Sequence, residues 1–500
     1  MSQFLVGIDI GSGGCKATAL NVESGVSYTQ ASEYPTYYPR PGWAEQNPYD
    51  WIDRAGIAVR SVIEKAGISP SEVKAVCIGG VTHSPVFLGE KGEVVRPTIN
   101  LTDTRSTAQV EKLMKKTGEL ILKISLNQIS VMWTLPMLIW VRENEHEIWS
   151  RVRKIVFPKD YVRFRLIGKV VTDYIDAQGS LLFDPVNNTW SRELLELSGI
   201  DVDLLPEVVG PSEVVGEVSE EGAAWSGLAV GTSVIAGATD TALEVYSAGA
   251  VNPGDCTVKL ATFGRICAVT REPVSGKGLV TYSHLIPGLW YPGTGTKSCA
   301  SSLRWFRDEF CRDMGEDAFS KMDDEAGKIA VGSNGLVFHP YLLGEESPYA
   351  DPMLRGDFVG LTLHHGRGHL IRSVMEGVAF SILDSLLYLE SFGIRIQEPL
   401  RFIGGGTKSQ VWLSILTDVL GRKAILPAAT DPSYGAALLA GVRIGLFDGL
   451  EAALKVNRVE PKELFPSREN AEVYKGLFKI YKEIHDQLVV SVHALSKDFS

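Results

Sequence analysis

The sequence predicts an α/β protein of two or more domains, and three features carry that expectation. Its 500 residues, 45% of them hydrophobic, exceed the roughly 100–200 residues of a usual domain. Helical and strand periodicities alternate along the chain, which is the pattern of an α/β architecture. Two distant stretches also share one layout. VGIDIGSGGCKATAL at 6–20 and DCTVKLATFGRICAV at 255–269 each read as an apolar strand, a turn of small residues and a second apolar strand. The chain thus reads as an internal duplication.

Taken in order, the opening strand runs up to Asp9 and turns through Gly11, Ser12, Gly13 and Gly14. Asn47-Pro48 then supplies a cap and a first helical turn. Trp51, Ala55, Val59 and Val62 recur at helical spacing, and Gly67 closes the segment. VKAVCIGGV follows as a short buried strand. Between 184 and 236 the chain is richer in Pro, Gly, Ser and acids, and PEVVGPSEVVGEVSEEGAAW reads as short extended pieces and turns. A domain boundary is expected shortly after it, dividing the chain into 1–247 and 248–500. Ile371, Val374, Met375, Val378, Ile382, Leu386 and Leu389 mark a long helix, and LRFIGGG supplies the strand after it. Val473, Leu477, Tyr481, Ile484 and Leu488 predict a final amphipathic packing helix.

Composition excludes several classes of function. The net charge of −11 is spread along the chain, which leaves no basic footprint for nucleic acid or for an anionic membrane surface. Six scattered cysteines without CxxC spacing argue against a zinc site or a disulfide framework and suit a reducing cytosol. The N-terminus has no signal-peptide pattern, and no run of about 18 apolar residues occurs. The expected address is the cytoplasm.

The turns carry the chemistry. Small residues let a backbone approach a ligand, and successive N–H groups can point at phosphate oxygens. GSGGCK is neither a Walker A loop nor GxGxxG, so a structural hairpin and a phosphate cradle both remain open. Asp9, at the end of a buried strand, fits magnesium or its bound water, or a turn cap. The turn at Thr262-Phe263-Gly264 offers a second cradle. FIGGG leaves room beyond a strand end for a flat group such as adenine. In VIAGATDTALEVYSAGA a buried run delivers Asp240 directly before a helix, as a cap or as a catalyst. Phosphoryl transfer asks for phosphate cradles, magnesium and a carboxylate that takes the proton of the attacking hydroxyl.

Jointly, at these spacings, the segments resemble the FGGY carbohydrate kinases of the actin-like ATPase superfamily, and most closely its xylulokinase-like pentulose kinases. The resemblance runs from residue 4 to about 490. It rests on GIDIGSGGCKA, LATFGRICA, FIGGGTKSQVW with PSYGAALLAG, and on GWAEQNPYDW, LTDTRS, LIWVRENEHEIW, FPKDYVRFRLIG, TDYIDAQGSLLFD and FVGLTL. It implies two actin-like (ribonuclease H-like) α/β domains with a central cleft. The first would carry the sugar and the first phosphate loop, and the second the other phosphate loop and the adenosine. It further implies ATP, magnesium and transfer of the γ-phosphate to a sugar hydroxyl. By position, Asp240 matches the catalytic base and Asp9 the metal-side carboxylate. Ser12, Gly13, Gly14 and Lys16 fall on the first phosphate loop, Thr262 and Gly264 on the second, and Gly405, Gly406 and Gln410 at the adenosine. Thr82, His83, Asp103, Arg105, Trp133 and Thr241 fall at the sugar. Members of the family are often dimers.

Four of the sugar residues also have a plainer reading: His83 as a strand-end histidine, Asp103 and Arg105 as a surface ion pair, Trp133 as core. The chain departs from the xylulokinase pattern at Thr241, where asparagine is usual, and at VTHS, where QMHG is usual. It departs again at Glu346, which replaces an arginine, and at Met137, which replaces a lysine. Two alternatives to a ketopentose kinase such as one for D-xylulose stay open. One is an FGGY kinase of ribulose, erythritol, glycerol or a hexulose, and the other is a non-metabolic actin-like clamp, which would need no base for a sugar hydroxyl.

Overall fold

Strand Phe4–Ile10 is buried at every position, as a near-continuous apolar run covered on both faces should be. The computed structural model, which describes residues 3–498, places it inside a six-stranded sheet. The sheet order is Val214–Glu217, Ser233–Ile235, Val73–Gly80, Phe4–Ile10, Gly14–Asn21, Ser27–Glu33. The second, third and fourth of these run parallel, and the remaining pairings are antiparallel. This sheet belongs to a compact unit built from Met1–Val251, Thr281–Trp290 and Ala429–Val459.

The other unit comprises Asn252–Val280, Tyr291–Ala428 and Glu460–Ser500. Six of the seven strands of its sheet run Trp290–Thr296, Gly264–Ala268, Cys256–Leu260, Leu400–Ile403, Ala424–Leu426, Lys462–Leu464. Cys256–Leu260, Leu400–Ile403 and Ala424–Leu426 are mutually parallel and the rest antiparallel. Five strands therefore repeat the first sheet in order, direction and chain sequence. The sixth differs: it precedes its neighbour in the first unit and follows it in the second. The echo between 6–20 and 255–269 is thus two copies of one hairpin. The division 1–247 and 248–500 divides the sequence, and the compact units cross it at Thr281–Trp290 and Ala429–Val459.

Local chemistry explains most elements. Asn47 Oδ1 accepts from Tyr49 N, Pro48 opens helix Pro48–Ala66, and Gly67 ends it at φ 66°. Helix Arg367–Glu390 buries all seven of its periodic apolar residues. Two expectations need correction. The stretch 206–225 is not all extended, because Ser219 accepts from Gly222 N and starts helix Glu220–Ser226. In the final helix, Arg468–Asp498, Tyr481 is buried and Leu477 and Ile484 pack against the core as the stripe expects, but Val473 is 44% exposed and Tyr474 takes the buried place at that end.

Helix Pro432–Arg443 seats on the first sheet because glycine lets it. A Cβ on Gly7 would lie 1.8 Å from the Ser433 carbonyl oxygen, and one on Gly435 would lie 2.4 Å from the Leu243 carbonyl oxygen. The Ser433 hydroxyl also meets that of Thr18 at 2.6 Å.

Beneath the same sheet lies a fully buried charge cluster. Lys159 Nζ is 2.5 Å from Asp160, 2.6 Å from Asp173 and 3.3 Å from Asp176. Arg163 donates to Asp160 (2.8 Å), to the Val171 carbonyl (2.6 Å) and to the Ala236 carbonyl. The three carboxylates are close enough together to hold a metal ion, but the lysine ammonium already lies within ion-pairing distance of all three. Two cations against three acids leave one acid to be neutralised by a proton. Burial raises Asp176 to about 8, with Lys159 opposing and Asp160 and Asp173 adding to the rise, so Asp176 holds it.

Two predictions follow from this packing. Gly7→Ala forces a methyl group onto the Ser433 carbonyl and should cost about 3 kcal/mol through overpacking, read as a lower urea midpoint at unchanged m-value. An unchanged midpoint would refute the close approach. Asp176 stays protonated in the folded chain up to about pH 8, whereas the unfolded chain releases that proton near pH 4. The stability so gained is complete below about pH 4 and is lost as the pH rises through about 8. Asp176→Asn, neutral throughout, should flatten the decline in urea midpoint across that window. Equal slopes in both proteins would place the proton elsewhere.

Candidate active site

Three parallel strands of the first sheet end together, and their ends carry the chemistry. Register sets Asp9 beside Gly79 and Ile10 beside Gly80, and Gly80 bridges to Thr239. Asp9, Thr82–His83 and Asp240 therefore share the carboxyl edge, where open α/β sheets bind ligands. Asp9 is 6% exposed. The glycine turn leads away from it, closed by Gly11 N donating to Gly14 O (3.0 Å). Gln46, itself buried, donates to the Ser12 carbonyl at 2.7 Å. Ser12 and Gly13 are exposed, and a Cβ on Gly13 would meet nothing within 4 Å. Lys16 Nζ contacts Asp431 at 2.6 Å. Burial works against the lysine's charge, yet Asp431, then Asp9 and Glu244, hold its pKa above the ordinary value.

Asp240 opens helix Asp240–Ser247, but the cap is Thr239, whose hydroxyl accepts from Ala242 N. One oxygen of Asp240 accepts from Thr241 N (2.6 Å) and from the Thr241 hydroxyl (3.1 Å). Both residues are half-buried. The departure from asparagine at position 241 thus puts a hydroxyl on the carboxylate itself.

Thr82 and His83 are buried, and His83 adopts a left-handed φ of 76°, which is uncommon for a non-glycine residue. Thr134 donates its hydroxyl to the His83 carbonyl at 2.6 Å. Gly179 leaves space for the pair, since a Cβ there would lie 2.2 Å from the Thr82 hydroxyl oxygen. The His83 ring sits 4.5 Å from that of Trp133, so Trp133 is core and a neighbour of His83 at once. Met137 is buried in helix Thr134–Asn144.

Asp103 and Arg105 are brought together with each other. They form a buried, two-point pair, with Arg105 Nε to Asp103 Oδ1 at 2.9 Å and Nη2 to Oδ2 at 2.7 Å. The guanidinium lies 3.6 Å over Trp43 and 2.8 Å from Glu45. Asp103 also accepts from Ala44 N at 2.6 Å, two residues before the Gln46 that holds Ser12. The pair is no surface ion pair. It braces the segment behind the first turn.

The second sheet repeats the arrangement. Cys256–Leu260 and Leu400–Ile403 are parallel neighbours, so the turn with Thr262 and Gly264 and the glycines after Ile403 share one edge. The Thr262 carbonyl accepts from Cys299 N (3.2 Å), Ser301 N (3.4 Å) and the Ser301 hydroxyl (2.8 Å), which fixes the turn on helix Ala300–Phe310. A Cβ on Gly264 would lie 2.6 Å from Thr296 Cγ2, whereas one on Gly405 would meet nothing within 4 Å; at Gly406 it would lie 2.8 Å from Leu260 Cβ. Gln410, first residue of helix Gln410–Leu420, accepts from Lys462 Nζ at 2.6 Å. Behind the turn, burial pushes Glu345 up to about 7 against donors from Thr296, Glu346 N, Lys297 N and Ser381. Glu346 sits 3.5 Å from Arg265.

Three contributors were missed from sequence: Gln46, Asp431 and Tyr282, whose hydroxyl is 2.6 Å from His83 Nε2. Asp431 had a signal. ATDTALEVYSAG and ATDPSYGAALLAG each follow a parallel strand and open a helix, so Asp431 is the duplicate of Asp240. Here the cap shifts by one residue, with Asp431 itself accepting from Ser433 N. Tyr282 lies 199 positions from its partner and had no local signal.

Comparison with known proteins agrees with this geometry. The model of the FGGY family of carbohydrate kinases, N-terminal domain, matches residues 4–246, and that of its C-terminal domain matches 262–444. The chain is 32% identical to the xylulose kinase of Bacillus subtilis (strain 168), over 97% of each chain. It is 28% identical to the gluconokinase of that organism, over 96% of this chain and 95% of the relative. The crystal structure of xylulose kinase from Rhodospirillum rubrum superposes with a TM-score of 0.88 at 28% identity, covering 98% of this chain and 100% of that one. With both family models in sequence order and the duplicated α/β sheets beneath them, the chain belongs to the FGGY family of carbohydrate kinases, phosphotransferases that act on an alcohol group.

Proposed function

We propose that the chain phosphorylates a ketopentose, D-xylulose in the first place, using ATP with magnesium, and that Asp240 is its base. The observation that carries this reading is the state of Asp240. It stands at a parallel-sheet edge, half-exposed, relieved of capping by Thr239 and oriented by Thr241. The names of several relatives support the sugar. In this reading Asp240 takes the proton of the attacking hydroxyl as the phosphoryl group moves. Thr82 and His83 face the sugar with Trp133 behind them, and Thr241 holds the base in place. Ser12, Gly13, Gly14 and Lys16, with Thr262 and Gly264, serve the phosphates, while Gly405, Gly406 and Gln410 serve the adenosine. Asp103 and Arg105 act from behind by bracing the first turn.

Magnesium fits on chemistry: Asp9 is an oxygen donor at a strand end, of the hard type this ion selects, beside a turn whose Gly13 is open. When bound, the ion neutralises phosphate charge. The functional division into 1–247 and 248–500 goes with this assignment. No helix among the described residues is long and apolar enough to cross a membrane, and all six cysteines are free and buried, which supports the cytoplasm as the address. A homodimer, common in the family, is the oligomer that light scattering should test.

The gluconokinase relative and the departures at VTHS and Thr241 favour one second reading, another sugar or sugar acid. A panel of D-xylulose, D-ribulose, glycerol, erythritol, a hexulose and D-gluconate, scored by sugar-dependent ADP release, separates the two. D-Xylulose should give the highest kcat/KM, and a greater value for any other compound overturns the first reading. Asp240→Asn should lower kcat by about 10²–10⁴-fold and leave ATP affinity intact; near-normal turnover would remove the base assignment. Asp9→Asn should weaken magnesium-dependent nucleotide binding by about 10–100-fold in calorimetry, with metal-free binding unchanged. Equal magnesium dependence in both proteins would remove Asp9 from the metal.

A further inference from the structure

We infer that Tyr282 is a positioning residue for the sugar and acts through His83, an inference that rests on the reading that His83 faces the sugar. The tyrosine hydroxyl and His83 Nε2 are 2.6 Å apart, and both residues are more than nine-tenths buried. Their rings form a group with Trp133. His83 lies 4.5 Å from the indole, and Tyr282 stacks on it at 6.3 Å with planes 26° apart.

The way Tyr282 is held separates it from an ordinary core tyrosine. Two buried amides grip the chain on either side of it. Asn127 donates to the Thr281 carbonyl (2.9 Å) and accepts from Thr281 N (2.8 Å). Gln178 accepts from Ser283 N (3.0 Å) and donates to the Ser283 hydroxyl (2.9 Å). Asn127 pairs with the backbone as a neighbouring strand would, and Gln178 meets the N–H and the side chain of Ser283. Buried amides are costly unless satisfied, and when satisfied they specify one arrangement. The residue they fix between them is Tyr282. Gln178 also ends helix Tyr174–Gln178 directly before Gly179, the glycine that makes room for Thr82 and His83. One short segment thus sets the tyrosine and the space beside its histidine.

A phenol bonded to one imidazole nitrogen restrains how the ring is turned. With the His83 backbone held by Thr134, the contact with Tyr282 adds a restraint on the ring itself. The consequence is selective: sugar affinity should depend on this hydroxyl, while nucleotide affinity and the chemical step should not.

The test is a double-mutant cycle on D-xylulose kinetics with Tyr282→Phe, His83→Ala and both together. Tyr282→Phe keeps the ring and should raise the KM for D-xylulose about tenfold, with kcat and the KM for ATP within about twofold. The double variant should have the KM of His83→Ala alone. Additive effects, or a D-xylulose KM that rises with His83→Ala but not with Tyr282→Phe, would overturn the inference and leave the sugar-site reading standing. A KM that responds to neither variant, or no D-xylulose turnover by the unmodified chain, would defeat that underlying reading instead. A drop in melting temperature for Tyr282→Phe without a change in KM would make the tyrosine purely structural and also refute the inference.

Discussion

Everything at the candidate site depends on one register. Strands Phe4–Ile10, Val73–Gly80 and Ser233–Ile235 pair in parallel with Asp9 level with Gly79 and Ile235 level with Cys77. Parallel strands start at the same end, so whatever follows each of them emerges on one edge. Three stretches separated by about 70 and then 160 residues of sequence become neighbours without any of them folding toward the others. A slip by one residue would turn each side chain to the opposite face. Packing forbids that in the first strand, because Gly7, where a Cβ would lie 1.8 Å from the Ser433 carbonyl oxygen, would give its place to a residue that carries one.

Duplication explains why the second sheet offers the same kind of edge, and the two copies show how one motif is put to two uses. Asp240 and Asp431 occupy equivalent places between a parallel strand and a helix. In the first copy threonine caps the helix and the aspartate, half-buried, is bonded by Thr241 instead. In the second the aspartate caps the helix and also pairs with Lys16. That pair is partly exposed, so solvent screens it and its value to stability is small; its effect is to place a lysine. The shift of the cap by one residue is what spares Asp240 the capping bond that Asp431 makes.

Local signals made most of the fold legible. Asn47-Pro48 and Gly67 bounded their helix because caps and terminators act within a turn of the residues that encode them. The two hairpins showed themselves because a strand, a small-residue turn and a strand are contiguous. Where the signal was non-local, reading failed. At the start of the last helix Val473 was weighed above the adjacent tyrosine, and Tyr474 takes the buried position. Helix Glu220–Ser226 hid in an acidic stretch because its cap, Ser219, resembles a turn residue. Asp103 and Arg105 were legible as a pair, but their burial over Trp43 depends on a tryptophan 60 residues away. The site was legible where strand ends carry it and illegible where Tyr282 and Asp431 enter it from late in the chain.

The buried ions around Lys159 show what holds the edge in place. A cluster of apolar side chains there would exclude water equally well, and replacing buried ion pairs by hydrocarbon is often neutral or stabilising. Hydrocarbon has no direction, however. Arg163 bonds the Ala236 carbonyl, four residues before Asp240, and the Val171 carbonyl, while Lys159 packs its Cβ within 3.3 Å of the position a side chain would take on Gly80. Asp173 bonds Lys159 and also caps the helix that ends at Gln178. One cluster therefore reaches the strand leading to Asp240, the strand leading to Thr82, and the helix that grips Tyr282's segment. Its cost in desolvation is offset by bonds that have angles, and angles are what a site built from distant pieces of chain requires.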